Sequence, residues 1–120
     1  MDRQKLEDYI LKTYGAKAEF PWVKYPTFAV FRHADNKKWF AVIMTVDKRK
    51  LGIDEDGKVD VVNLKRDINI VSSTWGNGIF PAYHMNKEHW ITVTLDGSIE
   101  DKTVEFLVDI SFHLTKGLKK

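Results

Sequence analysis

The chain has 120 residues, of which 43% are hydrophobic and 30% charged, the balance of a globular domain rather than of a disordered or fibrous protein. It contains no cysteine, which excludes disulfides, thiol catalysis and cysteine-ligated zinc, and its net charge of +2 is small for a dedicated nucleic-acid binder. No apolar run approaches the ~18 residues of a membrane span, and the N-terminus lacks a signal-peptide core. We therefore expect a single cytoplasmic domain over residues 1–120, with no membrane segment.

The first half of the chain predicts a helix followed by three strands. Asp2 can cap the helix and Gly15 can stop it, with Leu6, Tyr9, Ile10 and Thr13 on one face. Pro21 and Pro26 then favour an extended segment. The strands are TFAVFRH (27–33), KWFAVIMTV (38–46) and VDVVNLK (59–65), joined by the turn ADNK and the loop DKRKLGIDEDGK.

The second half predicts a further strand and a closing helix. Residues 66–73 favour a short helix, although Ile68, Ile70 and Val71 also suit a strand. HWITVTL (89–95) alternates as a strand does, and Asp96–Gly97 turns the chain. Ser98 is expected to cap a helix that runs to about Gly117, with a stripe of Val104, Leu107, Val108, Ser111 and Leu114 widened by Phe106, Ile110 and His113. These elements predict a two-layer α+β sandwich with the helices on one face of an antiparallel sheet.

The chemically densest segment is YHMNKEHWITV, residues 83–93. If Tyr83–Met85 pairs back on the strand that begins at Trp90, His84 and His89 lie opposite each other, about 5 Å apart. A zinc ion needs at least one more protein ligand, and His33 and His113 are far away in sequence. We therefore expect the two histidines to hydrogen-bond the turn and position Trp90, and Asn86 to help satisfy the backbone of the turn, with no metal and no cofactor.

Catalysis is not expected. His84 or His89 could act as a general base, but no nucleophile elbow and no phosphate-binding glycine loop accompanies them. Among the tryptophans, Trp39 is expected in the core and Trp90 at a strand edge. Trp22 and Trp75 lie in loops, where capping of the core is favoured over stacking on a base or binding a partner.

The stretch FPAYHMNKEHWITVTLDGS, with a following helix that contains LVDISFHLT, resembles the MmcQ/YjbR family of small bacterial proteins. FAVFRHADNKKWFAVIMTV and VDVVNLK fit the first strands of the family, so the resemblance runs from about Phe20 to Leu114. Its specific part is the set His84, Asn86, Lys87, His89 and Trp90, followed by Leu95, Asp96 and Gly97.

The resemblance implies a frataxin-like or secretion-chaperone-like sandwich of order α-β-β-β-α-β-β-α, with Tyr83–Met85 as a short fourth strand. The segment SSTWGNGIF departs from the family pattern and leaves the length of the middle helix open. Members are commonly labelled DNA-binding, from two wing-like hairpin loops, and no activity or cofactor carries over with the resemblance.

Three functions stay open on this evidence. The first is a non-enzymatic, monomeric domain that binds duplex DNA through phosphates with little sequence specificity, using Lys37, Lys38, Lys48, Arg49, Lys50 and Lys87. The second is a protein-interaction module that offers a sheet face or edge. The third and weakest is a small-ligand or metal binder at His84, Lys87 and His89. A continuous positive surface would favour DNA, and an exposed apolar patch would favour a protein partner.

Overall fold

A five-stranded antiparallel sheet and two helices make up the described part of the chain, which confirms the predicted α+β class. The computed structural model describes residues 1–67, 78–83, 85–86 and 88–116. The sheet order is β1-β2-β3-β5-β4. In chain order the elements are α1 (Arg3–Tyr14), β1 (Ala29–Arg32), β2 (Trp39–Asp47), a 3-10 turn (Lys48–Leu51), β3 (Lys58–Lys65), β4 (Ile79–Pro81), β5 (Trp90–Thr94) and α2 (Asp101–Thr115).

Helix α1 begins and ends where the sequence predicts. The Asp2 carboxylate accepts a hydrogen bond from the Lys5 amide at 2.9 Å, as an N-cap does. Gly15 takes a left-handed conformation with φ of 70°, and its amide donates to the carbonyl of Leu11. Leu6 and Ile10 are buried, whereas Thr13, expected on the same face, is exposed.

Helix α2 begins later than the sequence predicts. Ser98 does not cap it, because both the amide and the hydroxyl of Ser98 donate to the Asp96 carboxylate and hold Ser98 in the preceding turn. The N-cap is Glu100, whose side chain makes no capping hydrogen bond. Of the predicted apolar stripe, Val104, Val108 and Ser111 are buried. Leu114, Phe106 and His113 are exposed, so the buried face of the helix is narrower than expected.

The fourth strand is Ile79–Pro81, and the prediction of a strand at Tyr83–Met85 is wrong. Phe80 pairs with Thr92 and Pro81 with Ile91. Proline has no amide hydrogen to continue the ladder, and the Tyr83 amide donates to the side chain of Thr92 instead of to a backbone carbonyl. The premise that set His84 opposite His89 therefore fails. Most of the predicted middle helix, residues 66–73, falls outside the described residues, as does Trp75, and the two described residues of that range, Arg66 and Asp67, are not helical.

The sheet has two apolar faces. Both helices pack on the first face, where Leu6, Ile10, Val104 and Val108 join strand residues in one cluster. The second face is formed by Val30, Val42, Met44, Val46, Val59 and Val61. Neither α1 nor α2 contributes to it, which confirms the prediction that these helices cover one side of the sheet.

A β-bulge at the start of β2 distributes aromatic residues between the two faces. The pairing passes from Phe31 opposite Ala41 to Arg32 opposite Trp39, so Phe40 is an extra residue in the ladder. Phe40 and Ala41 consequently both point to the helix side, while Trp39 packs against the second face. Trp39 is half-buried there, rather than in the main core where it was expected. No helix in the described ranges is long and apolar enough to cross a membrane.

Candidate functional site

An aromatic cavity of about 350 Å³ lies on the second face of the sheet. Its volume is within the range of small ligand-binding pockets. The sheet supplies its floor, the segment 22–28 supplies one wall, and Met85 closes another side. The lining, called the aromatic cavity below, consists of Trp22, Tyr25, Phe28, Trp39, Val42, Met44 and Met85.

Segment 22–28 holds its rings in place through short turns and ring contacts. The Tyr25 amide donates to the Trp22 carbonyl at 3.2 Å, and the Phe28 amide donates to the Tyr25 carbonyl at 3.0 Å. Trp22 meets Trp39 edge to face with centroids 5.5 Å apart, and Tyr25 stacks on Phe28 at 4.7 Å. Trp22 therefore caps the second cluster from a loop, as the favoured sequence interpretation held.

Apolar side chains extend beyond the cavity onto the protein surface. In the same segment, Phe20 is 54% exposed, Val23 is 96% exposed and Tyr25 is 50% exposed. An exposed cluster of large apolar side chains costs solvation free energy, and such clusters commonly mark binding surfaces. Lys24 lies between Val23 and Tyr25 and is also exposed, so the rim of this surface carries a positive charge.

The loop between β4 and β5 borders the cavity and contains the central family motif. The Asn86 side chain accepts from the Glu88 amide at 2.8 Å, and its carbonyl accepts from the Trp90 amide at 3.0 Å. Arg66 holds the loop from outside, through its amide to the His89 carbonyl and its guanidinium to the Glu88 carbonyl. This turn presents Met85 to the cavity.

A buried polar network fixes the same loop to the sheet. Asn63 and Thr92, opposite each other on β3 and β5, are both fully buried. The side-chain amide of Asn63 donates to the Tyr83 carbonyl at 2.8 Å. The backbone amide of Tyr83 donates to the Thr92 hydroxyl, also at 2.8 Å. The Thr92 hydroxyl in turn donates to the Asn63 side-chain oxygen. Tyr83, at the start of the loop, is thus anchored to β3 and β5.

The predicted motif residues differ in their burial and hydrogen bonding. Asn86 satisfies the backbone of its turn, as predicted. His89 is exposed, and its backbone rather than its imidazole makes its described hydrogen bonds. Trp90 is half-buried at the start of β5, with the Lys65 ammonium 6.0 Å from its ring centroid. His84 and Lys87 lie outside the described residues. Within the described ranges, no three His, Asp or Glu side chains come together as a metal site would need.

Asp96 and Gly97 form the turn after β5, as predicted. Gly97 has φ of 89°, which favours glycine. Burial opposes the ionised form of Asp96, but hydrogen bonds from Ser98, Thr94 and the Asp96 backbone together outweigh it and hold the pKa of Asp96 below its usual value. The observed role of this pair is therefore to shape the turn.

The predicted DNA-contacting residues that the structure describes, all of the set but Lys87, do not form one surface. Lys37 and Lys38 precede β2, whereas Lys48, Arg49 and Lys50 follow it, and nine extended residues separate the two groups by roughly 30 Å. Lys48 pairs with Glu55 at 3.0 Å, and Arg49 pairs with both Asp54 and Asp56. The basic 3-10 turn is thus largely neutralised by the acidic loop that follows it.

Sequence reasoning missed Asn63, Thr92, Met85 and the cavity itself. A signal for Asn63 was present, because asparagine is depleted in strands and stands here inside VDVVNLK. The others carried no such signal, because a threonine in a strand and a methionine in a turn are both ordinary.

Comparisons with known proteins agree with this architecture. The YjbR family model matches residues 11–114. The chain is 40% identical to YyaQ of Bacillus subtilis (strain 168), across 97% of this chain and 99% of that protein. It is 53% identical to YjbR of Escherichia coli (strain K12), over 28% of each chain.

Solved structures extend the likeness to the fold. A crystal structure of a Pseudomonas syringae protein superposes with a TM-score of 0.92 at 49% identity, covering 97% of this chain and 100% of that one. A Deinococcus radiodurans protein with a DUF419 domain superposes with a TM-score of 0.71 at 25% identity, covering 99% and 83%. On these matches in sequence and structure, the chain belongs to the YjbR family.

Proposed function

We propose that this domain is a non-enzymatic protein-interaction module that takes up apolar side chains of a partner protein in the aromatic cavity. The observation that carries the proposal is the cavity together with its exposed rim of Phe20, Val23 and Tyr25. A volume of about 350 Å³ accommodates one or two large side chains.

The chemistry of the lining supports binding over catalysis. The tryptophan, phenylalanine, valine and methionine side chains of the lining carry no acidic or basic group suited to proton transfer, and the Tyr25 hydroxyl is the one lining group that could act in that way, with no second such group among the lining residues. Aromatic rings and methionine are enriched in protein interfaces, because they bury a large area and adapt to different shapes. The apolar rim continues the contact area outside the cavity, which a partner protein can cover and a small molecule cannot.

Photo-crosslinking tests this proposal. With p-benzoylphenylalanine in place of Val23, irradiation in the cells that encode the protein is expected to give a discrete covalent adduct with another polypeptide, because Val23 is 96% exposed at the rim. The readout is a shifted band identified by mass spectrometry. Adding Tyr25→Ser should remove most of the adduct with little loss of stability, because half of that ring is already in solvent.

The matched control puts the same photoreactive residue in place of Lys102, an exposed residue at the start of α2. Equal adduct formation at positions 23 and 102, or an adduct at position 23 that Tyr25→Ser leaves unchanged, would contradict the proposal.

Duplex DNA is the second candidate ligand. The observation in its favour is that Lys37 and Lys38 are exposed and make no ion pair within the described residues, unlike Lys48 and Arg49. Free lysines can replace counterions at phosphates, whereas paired ones must first break their own contacts.

We expect the pair Lys37 and Lys38 to contribute more to DNA affinity than the pair Lys48 and Arg49. Lys37→Glu combined with Lys38→Glu is expected to weaken binding to random duplex more than Lys48→Glu combined with Arg49→Glu. The wild-type slope of log K against log salt should be about −2, since each phosphate contact contributes about −0.9. Fluorescence anisotropy at low and physiological salt measures both quantities. No binding at low salt would exclude DNA, and equal losses in the two double variants would contradict this assignment of contacts.

A further inference from the structure

A second concave site lies at the opposite side of the sheet from the aromatic cavity. It is formed where α1 ends, where α2 ends and where the turn between β1 and β2 projects, and its volume is about 580 Å³. We call it the basic cleft. Its charged lining residues are four cations and two acids, namely Lys17, Arg32, Lys37, Lys116, Glu19 and Asp35.

Of the two acids of the basic cleft, one is paired with a cation and the other is bonded only by a neutral amide, whereas three of the four cations are unpaired. Glu19 pairs with Arg32 at 2.7 Å, and the Asp35 carboxylate accepts from the Asn36 amide at 2.7 Å. Lys17, Lys37 and Lys116 make no ion pair with any described residue. Three ammonium groups around one concave surface repel each other, and a bound anion would relieve that repulsion.

Lys37 reaches the mouth of the cleft from a strained backbone. Its φ is 64°, in the left-handed region that glycine or asparagine adopts more readily than lysine. The surrounding turn imposes this conformation, because the Lys37 amide donates to the His33 carbonyl and the His33 amide donates to the Lys38 carbonyl. The Asn36 side chain ties the turn to α2 by donating to the Thr115 carbonyl at 3.0 Å. A lysine at such a position suggests a role for its charge.

The floor of the cleft is apolar and aromatic. Tyr14, Phe40 and Phe112 line it, together with His33, which is 7% exposed. The His33 Nε2 atom lies 2.8 Å from the Thr115 hydroxyl, and burial lowers the pKa of His33, so its ring is neutral at pH 7. The cleft therefore combines an uncharged aromatic floor with a cationic mouth.

The carboxyl ends of both helices border the cleft and oppose anion binding. Each helix end carries roughly half a negative charge. The carbonyls of Leu11 and Thr115, however, are bonded by the Gly15 amide and the Asn36 side chain. The three unpaired lysines outweigh the Asp35 carboxylate and the remaining partial charge of the helix ends.

We propose that the basic cleft binds a small molecule that carries a phosphate or carboxylate group on an apolar body. The lysines would hold the anionic group at the mouth, and the aromatic floor would contact the body of the ligand. This site is separate from the aromatic cavity, so the proposal does not rest on the function proposed above.

Nuclear magnetic resonance titration of the full chain tests the proposal with inorganic phosphate and phenyl phosphate, against sodium chloride at equal ionic strength. Both phosphates are expected to move the amide resonances of Lys17, Ala34 and Lys37 and to saturate, and chloride is not. Phenyl phosphate should bind about tenfold tighter, because part of its ring is buried on the floor. The same titrations with acetate and with benzoate compare a carboxylate without and with an aromatic ring.

Two sets of variants separate a binding role from a structural one. Lys37→Gly removes a charge and relieves the positive φ, so it should raise the melting temperature and yet raise the Kd for phosphate by about threefold or more. Lys17→Gln with Lys116→Gln should raise the Kd further, whereas Lys102→Gln, at the far end of α2, should not change it. Shifts that are the same in phosphate and chloride, a Kd that neither set changes, or a response to duplex DNA without one to free phosphate would overturn the proposal.

Discussion

Replacing Ser111 by alanine is expected to lower the free energy of unfolding by about 3 kcal/mol, because two buried backbone groups lose their partner. The Ser111 hydroxyl donates to the Phe40 carbonyl at 2.6 Å and accepts from the Lys65 amide at 2.8 Å. The ladder between β2 and β3 ends at Ala41 and Leu64, so Phe40 and Lys65 would form its next pair. That pair is not formed, and the Ser111 hydroxyl on α2 bonds both backbone groups instead.

Urea denaturation followed by circular dichroism measures this loss. Ser98→Ala is the matched control, because Ser98 is exposed and its hydroxyl bonds one carboxylate in a turn. That control should cost less than about 1 kcal/mol. If the two variants lose similar stability, water has replaced the hydroxyl at the bulge and the bridging role is refuted.

Much of the fold follows from patterns within short segments of the sequence. Asp2 and Gly15 define α1 through local hydrogen bonds and a local φ value, and neither depends on distant residues. The central strands likewise follow from runs of β-branched and aromatic residues. The predictions that were wrong concern segments where a tertiary or neighbouring contact determines which of two locally possible structures forms. Ser98 could cap a helix, but Asp96 binds its hydroxyl first.

The fourth strand shows the same limitation more clearly. Tyr83–Met85 and Ile79–Pro81 are both short and apolar enough to pair with β5. In the structure the side chain of Asn63, 20 positions earlier on β3, donates to the Tyr83 carbonyl, so that carbonyl is bonded outside the ladder between β4 and β5. Periodicity cannot reveal a contact between residues so far apart in sequence.

The candidate site was less predictable than the fold. The roles of Asn86, Asp96 and Gly97 are local and were anticipated. Lys48 and Arg49 were predicted as phosphate contacts, although the loop DKRKLGIDEDGK brings its own acidic residues against them, as it does for Arg49 and Asp54. The aromatic cavity joins segment 22–28 to Met85, about 60 residues later, and only the paired strands between them create that proximity.

The position of loop 82–89 depends on the Asn63–Thr92 network, which connects the stability of the sheet to the aromatic cavity. Both side chains are fully buried, and their four hydrogen-bonding roles are filled by each other and by the Tyr83 backbone. Met85, which lines the cavity, is the second residue after Tyr83. A change at Asn63 should therefore affect both folding and the shape of the proposed binding surface.

Asn63→Ala is expected to cost about 3 kcal/mol of unfolding free energy, because the Tyr83 carbonyl and the Thr92 hydroxyl lose a buried partner. Thr92→Val, which keeps the side-chain shape, should cost about 2 kcal/mol. The double variant should cost at least about 1 kcal/mol less than the sum of the two, because the residues act as one network. The same variants should reduce the photo-adduct at position 23, since Met85 is released from the cavity wall. Additive losses in urea denaturation, or an Asn63→Ala protein that keeps both its stability and its adduct, would show that the network does not position the loop.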